Sequence, residues 1–514
     1  MCFGAISPIR HLLMSSSVHV HRRQFVIGPR PIAIDKGWMT IQLSPTLYLS
    51  RCSSLPFSSA RDLDNVQWHL LGLVAQTDQN RPDPIDEISG SRSHEVRERY
   101  DSWVGRWVLL GNDELHMDAS GLLGCLYAVA EADSAGKLEI WISSSPALLA
   151  ELTHNEPWHH DSKQLKQGYM NWYPPPYSRY RSVHRLLPSQ ILILSSGQVR
   201  ARALLPAIQP PRSYEAILDE LQERLLSALS RLTHRARTIW VPLSAGYDSR
   251  LVLALALFAK IPVKTFTMKK VNVWDRSGTN TPVSSYVLQA DMTLPSRIAK
   301  EVGLEHRWIP KGRFNKDALE LFDHHTGGHT LENDRVYFSH GQWDWAQASD
   351  LILHGQAFEV GHCFYWNRFS NELPIGLMPP PSVVIDGFRM ENHSVHAQGI
   401  REWVSWASEE SPAAIDWRDR MYIEQRIAGW LSPLQQAVDL TLPERFYVVN
   451  SARTFALLTA IPEEKRLSRT HHVDLIKRMA PSLLHFPFNP PDPSYRRMTF
   501  RIMAKLSRLS KGEW

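Results

Sequence analysis

The stretch TIWVPLSAGYDSRLVLALALFAK, Thr238 to Lys260, decides the fold. A short apolar run, Ile239 to Leu243, gives way to Ser244-Ala-Gly-Tyr-Asp-Ser249, and apolar residues resume at Leu251. That order reads as a buried parallel strand, a tight small-residue turn and a helix N-terminus. Such a turn aims backbone N–H groups and the positive end of the helix dipole at one point, where a phosphate group fits. Gly246 lets the backbone approach closely, and Ser244 and Ser249 add hydroxyls. Asp248 would be out of place beside a phosphate unless a divalent cation bridged them. The loop therefore reads as a site for a metal-bound polyphosphate. The plainer reading is a helix capped by Asp248 or Ser249 after an ordinary strand.

Working outward, Val263 to Met268 is a second strand, and Asp350 to His354 a third that runs into Gly355-Gln-Ala-Phe-Glu359. Strand, helix and strand at this spacing predict a parallel, doubly wound sheet. Upstream, Tyr214 to Arg231 has apolar residues at helical spacing, preceded by the proline-rich connector Leu204 to Ser213. Residues 24–145 read as β-rich, with alternation at Met39, Ile41 and Leu43 and strands at Trp68–Val74, Val104–Leu110 and Leu138–Ser143. The last 150 or so residues read as mostly helical, clearest at Arg418–Trp430 and Arg453–Ile461.

Composition bounds the function. At 514 residues the chain needs two or more domains, and 43% hydrophobic with 21% charged residues is globular. A net charge of +5 suits an anionic ligand but indicates no nucleic-acid partner. Cys2, Cys52, Cys125 and Cys363 are scattered without a CxxC, which fits a reducing cytoplasm better than a disulfide framework or zinc knuckle. The basic and histidine-rich first 25 residues break any signal-peptide core, and the Leu251–Ala259 run is too short to span a bilayer.

Ser244–Ser249 resembles the SGGxDS pyrophosphate loop of asparagine-synthetase-like enzymes, with Ala245 in place of the first glycine. The order Val104-Gly-Arg-Trp, Asp118-Ala-Ser-Gly121, Leu126-Tyr127 and Ile142-Ser143 with Ser145-Pro-Ala-Leu148 is similar to the end of that family's glutamine-amidotransferase domain. Gly168 to Pro188 resembles its crossover to the synthetase half, and Asp291 with Arg297–His306 its Asp–helix–LGxxH segment. The resemblance implies an α/β protein. Residues 1–205 would form a degenerate, Ntn-hydrolase-like β sandwich, and 206–514 a doubly wound ATP-pyrophosphatase domain with a helical C-terminal part.

The resemblance also implies an ATP- and Mg²⁺-dependent ligase that adenylates a carboxylate, releases pyrophosphate and forms an amide with an amine, from small-molecule or peptide substrates. It implies ATP contacts from Leu243, Ser244, Ala245, Gly246, Tyr247, Asp248, Ser249, Thr267 and Gly355, and Mg²⁺ held by Asp248 and Glu359. Glu359 alone keeps the charge of the family's GxGxDE turn; a solvated loop carboxylate is its other reading. His472 stands where the family has a catalytic lysine, and Lys477 or Lys465 are the cations that could substitute. A homodimer is compatible with it. Cys2 matches the family's N-terminal nucleophile by position, but no CGI strand follows and no NGE glutamine cradle is visible, so Cys2 reads as incidental. A glutamine-hydrolysing asparagine synthetase and a non-catalytic nucleotide-binding scaffold remain as alternatives. Asp323 to His329 has metal-ligand residue types in a glycine-spaced loop, and Tyr495 to Leu509 is basic with one apolar face; a plain loop and a packed terminal helix are their simpler readings.

Overall fold

Two antiparallel sheets and one parallel sheet carry the chain. The computed structural model describes residues 21–131, 138–158, 170–208, 212–232, 236–268, 290–309, 322, 324–326, 346–370, 372–410 and 414–490. Cys2, Asp323, Gly327-Gly328-His329 and Tyr495–Leu509 lie outside them.

The first sheet contains β1 (Phe25–Gly28), β2 (Trp38–Ser44), β3 (Leu47–Cys52), β8 (Leu126–Glu131), β9 (Leu138–Ser143) and β10 (His184–Arg185), in the order β10-β8-β9-β1-β3-β2. The second contains β4 (Phe57–Arg61), β5 (Gln67–Gln76), β6 (Trp103–Gly111), β7 (Glu114–Met117), β11 (Gln190–Ile193) and β12 (Val199–Ala201), in the order β12-β11-β7-β6-β5-β4. Phe25, Ile27 and Leu49 of one sheet pack with Leu71, Val108, Leu110 and Leu115 of the other. Helices cover the outer faces: Ile88 and Val96 pack on Trp68, Trp103 and Trp107, while Leu148 and Leu149 pack near Trp141. With both faces buried, β6 loses the alternation that marks a half-exposed strand. Trp68, Trp103, Trp107 and Trp141 fill the outer layers of these two sheets.

β10 differs from expectation. The segment read as a crossover to the second half returns instead to the antiparallel sheets.

The parallel sheet contains β13 (Thr238–Pro242), β14 (Val263–Met268), β15 (His306–Ile309), β16 (Asp350–His354) and β17 (Glu444–Tyr447), in the order β15-β14-β13-β16-β17. β17 was not expected in the helical C-terminal stretch. At four residues, with Glu444 and Arg445 among them, it is too short and too charged to show a strand pattern. Tyr422–Leu431 is π-helical rather than a regular α-helix. The helix Tyr214–Ser230 is capped by Ser213, whose hydroxyl accepts from Ala216 N–H, and buries Ile217, Leu218, Leu221, Leu225 and Leu229. Each such leucine contributes about 1.5–3 kcal/mol on burial. In Tyr247–Phe258 every residue from Arg250 to Ala256 is buried, which from Leu251 onward matches its unbroken apolar sequence.

The two halves are joined by buried polar contacts. Arg106 of β6 donates two bonds to Asp439, at 3.0 and 2.8 Å. Asp118 Oδ1 accepts from the N–H groups of Ser120 (3.1 Å) and Leu122 (2.8 Å), and also from Asn450 Nδ2 (3.0 Å). Among the described residues, no helix is long and apolar enough to cross a membrane.

Candidate active site

The strand order reverses between β13 and β16: successive strands step from β13 to one side, then from β16 to the other. Loops diverge there at the carboxyl ends of the strands and leave a crevice. A cavity of about 380 Å³ occupies that position. Leu243, Ser244, Asp248 and Ser249 line it from the β13 loop, and Thr267 from β14. His354, Gly355, Gln356 and Glu359 line it from the end of β16, and Arg445 from β17.

The β13 loop is braced from within. Ser244 N–H donates to Ser249 Oγ (3.1 Å), the two serine hydroxyls lie 2.8 Å apart, and Gly246 N–H donates to Ser244 Oγ (3.1 Å). Ala245 N–H donates to the buried Asp291 carboxylate at 2.8 Å. Thr267 Oγ1 donates to Leu243 carbonyl oxygen at 2.6 Å. The helix begins at Tyr247, so its first-turn N–H groups have no intrahelical acceptor.

Gly355, rather than Gly246, is the glycine that close approach demands. A Cβ on Gly355 would lie 2.7 Å from Asp248 C, 2.8 Å from its carbonyl oxygen and 3.0 Å from Ser249 N. At Gly246 the nearest atom is the Ser244 hydroxyl at 3.2 Å.

Two carboxylates meet at the cavity. Asp248 Oδ1 lies 3.0 Å from His472 Nε2 and 3.2 Å from His362 Nε2, but meets neither in hydrogen-bonding alignment. Burial alone would raise its pKa; His362 and then His472 outweigh burial and hold the carboxyl well below the usual carboxylate range. Glu359 moves the other way, raised by burial and then by the Asp248 charge. Backbone N–H groups of Glu359 and Ala357 reach its carboxylate, yet Oε2 has no hydrogen-bond partner among the described residues. Two adjacent carboxylates with unpartnered, shielded oxygens fit a divalent cation.

Other expected residues fall elsewhere. Ala245 and Gly246 are not in the cavity wall. Tyr247 turns to the C-terminal segment, stacking on Phe488 at 4.1 Å, while Arg250 donates to the Phe486 and Pro487 carbonyl oxygens at 2.7 and 3.0 Å. His472 reaches Asp248, but burial lowers its pKa to about 4, so it is neutral at pH 7 and cannot supply a lysine's charge. Lys477 is exposed. Five residues after His472 on one helix, it is turned some ~140° away. Lys465 lies over the Tyr214 ring, 5.3 Å from its centroid.

Residues the sequence reading missed supply what the lysines do not. Arg445, brought down to about 10 by burial, stays cationic at pH 7 in the cavity wall. Its guanidinium is positioned by the Val438 carbonyl oxygen (2.9 Å) and Thr441 Oγ1 (2.8 Å). His362 and His471 join His472 behind Asp248. A clue to His362 is its place three residues after Glu359 on one short 3₁₀ turn, Phe358–His362.

No protein-family model matches the chain, and no curated protein matches it.

Proposed function

We propose that the protein is an ATP- and Mg²⁺-dependent ligase that adenylates a carboxylate, with release of pyrophosphate, and joins it to an amine. The observation that carries this reading is the cavity at the β13/β16 reversal, where a helix N-terminus, a serine-rich loop and two carboxylates converge. In this reading the parallel unit has an ATP-pyrophosphatase-type fold and the antiparallel half a degenerate Ntn-hydrolase-like one. In this reading the two parts meet at about residue 205. The setting is the cytoplasm, in keeping with the free cysteines Cys52, Cys125 and Cys363.

The first-turn N–H groups and the Ser244 and Ser249 hydroxyls bind the β- and γ-phosphates, and Arg445 adds a fixed positive charge. The acid's oxygen attacks the α-phosphorus and pyrophosphate leaves; the amine then attacks the acyl carbon and AMP leaves. Asp248 and Glu359 would hold Mg²⁺, which supplies charge neutralisation at the departing phosphates. Thr267 and Asp291 keep the loop in place through Leu243 and Ala245.

The test is ATP–pyrophosphate exchange screened across candidate acids, for wild type and Asp248→Asn. Exchange in wild type, lost in a folded Asp248→Asn variant, is expected. Undiminished exchange in the variant refutes the assignment.

A further inference from the structure

We propose that His362, His472 and Asp248, with His471 beside them, form a binding site for a transition-metal dication of the Zn²⁺ class. The site adjoins the Mg²⁺ position at Asp248 and stands whether or not the cavity takes ATP, because it rests on the histidine cluster's own geometry.

Three distances carry the argument. Asp248 Oδ1 is 3.0 Å from His472 Nε2 and 3.2 Å from His362 Nε2, and the two Nε2 atoms are 3.4 Å apart. Ligand atoms at ordinary Zn–N and Zn–O lengths around a tetrahedral ion stand roughly 3.3 Å from one another. The three atoms thus already outline one face of such a polyhedron. His471 borders the group: a ring nitrogen from each of the three histidines lies within 4.8 Å of the others, and Asp248 reaches the cluster through His362 and His472.

The atoms are in the state a metal requires. His471 and His472 are fully buried, and the His362 side chain is 6% exposed. His471 Nδ1 lies 3.1 Å from the Lys465 carbonyl oxygen, an acceptor only, so Nδ1 carries the proton and Nε2 keeps its lone pair. That is the outer bond by which ligand histidines are usually oriented. His471 Nε2 and Asp248 Oδ1 have no hydrogen-bond partner among the described residues. Two histidine Nε2 atoms crowd one buried carboxylate oxygen that has no aligned hydrogen bond, and a shared cation satisfies all three atoms. Imidazole donors select Zn²⁺, Co²⁺ or Ni²⁺ over Mg²⁺ and Ca²⁺, which prefer oxygen. Asp248 also lines the cavity, so its carboxylate would join the two positions.

The full chain, stripped with chelator, is titrated with Zn²⁺ against a chromophoric competitor and with Co²⁺ by visible absorption. One tight equivalent of Zn²⁺ is expected, with Co²⁺ d–d bands of tetrahedral intensity that a large excess of Mg²⁺ does not displace. His362→Gln/His472→Gln should weaken that equivalent by about 100-fold or more. The exposed His485→Gln should leave it unchanged, which controls for stray histidine binding. Absence of the tight equivalent or of the bands in wild type overturns the site, as does unchanged Zn²⁺ affinity in a double variant folded by circular dichroism. Should the double variant not fold, the wild-type cobalt spectrum in excess Mg²⁺ decides alone. ATP–pyrophosphate exchange, measured in parallel, reports on the nucleotide reading separately.

Discussion

Gly355→Ala is the most direct probe of how the site is assembled. The added methyl would sit 2.7 Å from Asp248 C, and all three of its nearest neighbours are backbone atoms. No side chain can swing aside. Ordinary contact begins at 3.4 Å, so the end of β16 and the start of the helix must separate by about 0.7 Å. Overpacking of this kind costs about 1–3 kcal/mol. The displaced residue is Asp248 itself, and a misplacement approaching 1 Å at a reacting centre lowers rate by about 10²-fold. Gly246→Ala is the matched comparison. Its nearest neighbours are side-chain oxygens at 3.2 and 3.7 Å, and its backbone φ of −80° suits any residue. Urea denaturation and ATP–pyrophosphate exchange on both variants provide the measurement. Gly355→Ala should lose about 1–3 kcal/mol and most of its exchange, while Gly246→Ala loses under about 1 kcal/mol. Equal losses in the two, or a Gly355→Ala variant of wild-type stability and turnover, would refute the packing argument.

Glu359→Gln removes one of two paired carboxylates, and single-turnover pyrophosphate release should slow by about two orders of magnitude or more, close to 3 kcal/mol, with a weaker Mg²⁺ dependence. Superimposable magnesium titrations would mean that Glu359 holds no metal. Asp439→Asn strands the buried Arg106 guanidinium, and urea denaturation should show a loss of about 3–5 kcal/mol; under about 1 kcal/mol would show the joint to be dispensable. His325 and His396 are both held at about 4 by burial, whereas in the unfolded chain they titrate near 6.5. The unfolded state therefore binds the extra protons, and stability should fall as pH drops from 6.5 toward 4, by up to about 1.4 kcal/mol per group per pH unit. His396→Phe should make that slope shallower, and an unchanged slope counts against the assignment.

The sequence made the centre of the parallel sheet plain and its edge obscure, for physical reasons. β14 and β16 match their expected ranges because each is an apolar run ended by turn chemistry. β17 enters the sheet through backbone pairing with β16, and its Arg445 is buried against the Val438 and Pro443 carbonyl oxygens, a setting that a charged residue in a four-residue run does not announce. At the site, Ser244, Asp248 and Ser249 were legible because loop and helix are contiguous, and Glu359 because an acidic residue follows a strand end. His472 was marked only by its place in the resemblance, and His362 and His471 were not marked at all. His471 and His472 belong to a helix more than a hundred residues from His362, and nothing local distinguishes them from core histidines. Lys477 misled in the opposite way: a suitable charge, on the solvent side of the right helix.

The contacts between the halves also bear on synthesis. Asp118 and Asn450, which share a buried hydrogen bond, are 332 residues apart. At translation speeds of roughly 5–20 residues per second, Asp118 leaves the ribosome about 17–66 seconds ahead of Asn450. Through that interval the Asp118 turn can draw on its local Ser120 and Leu122 N–H groups, but Arg106 has no Asp439 to answer its charge. The antiparallel half must therefore spend much of its nascent life with a cationic, unfinished face turned outward. Expressed alone it would keep that face permanently, so the first 205 or so residues make a poor free-standing unit.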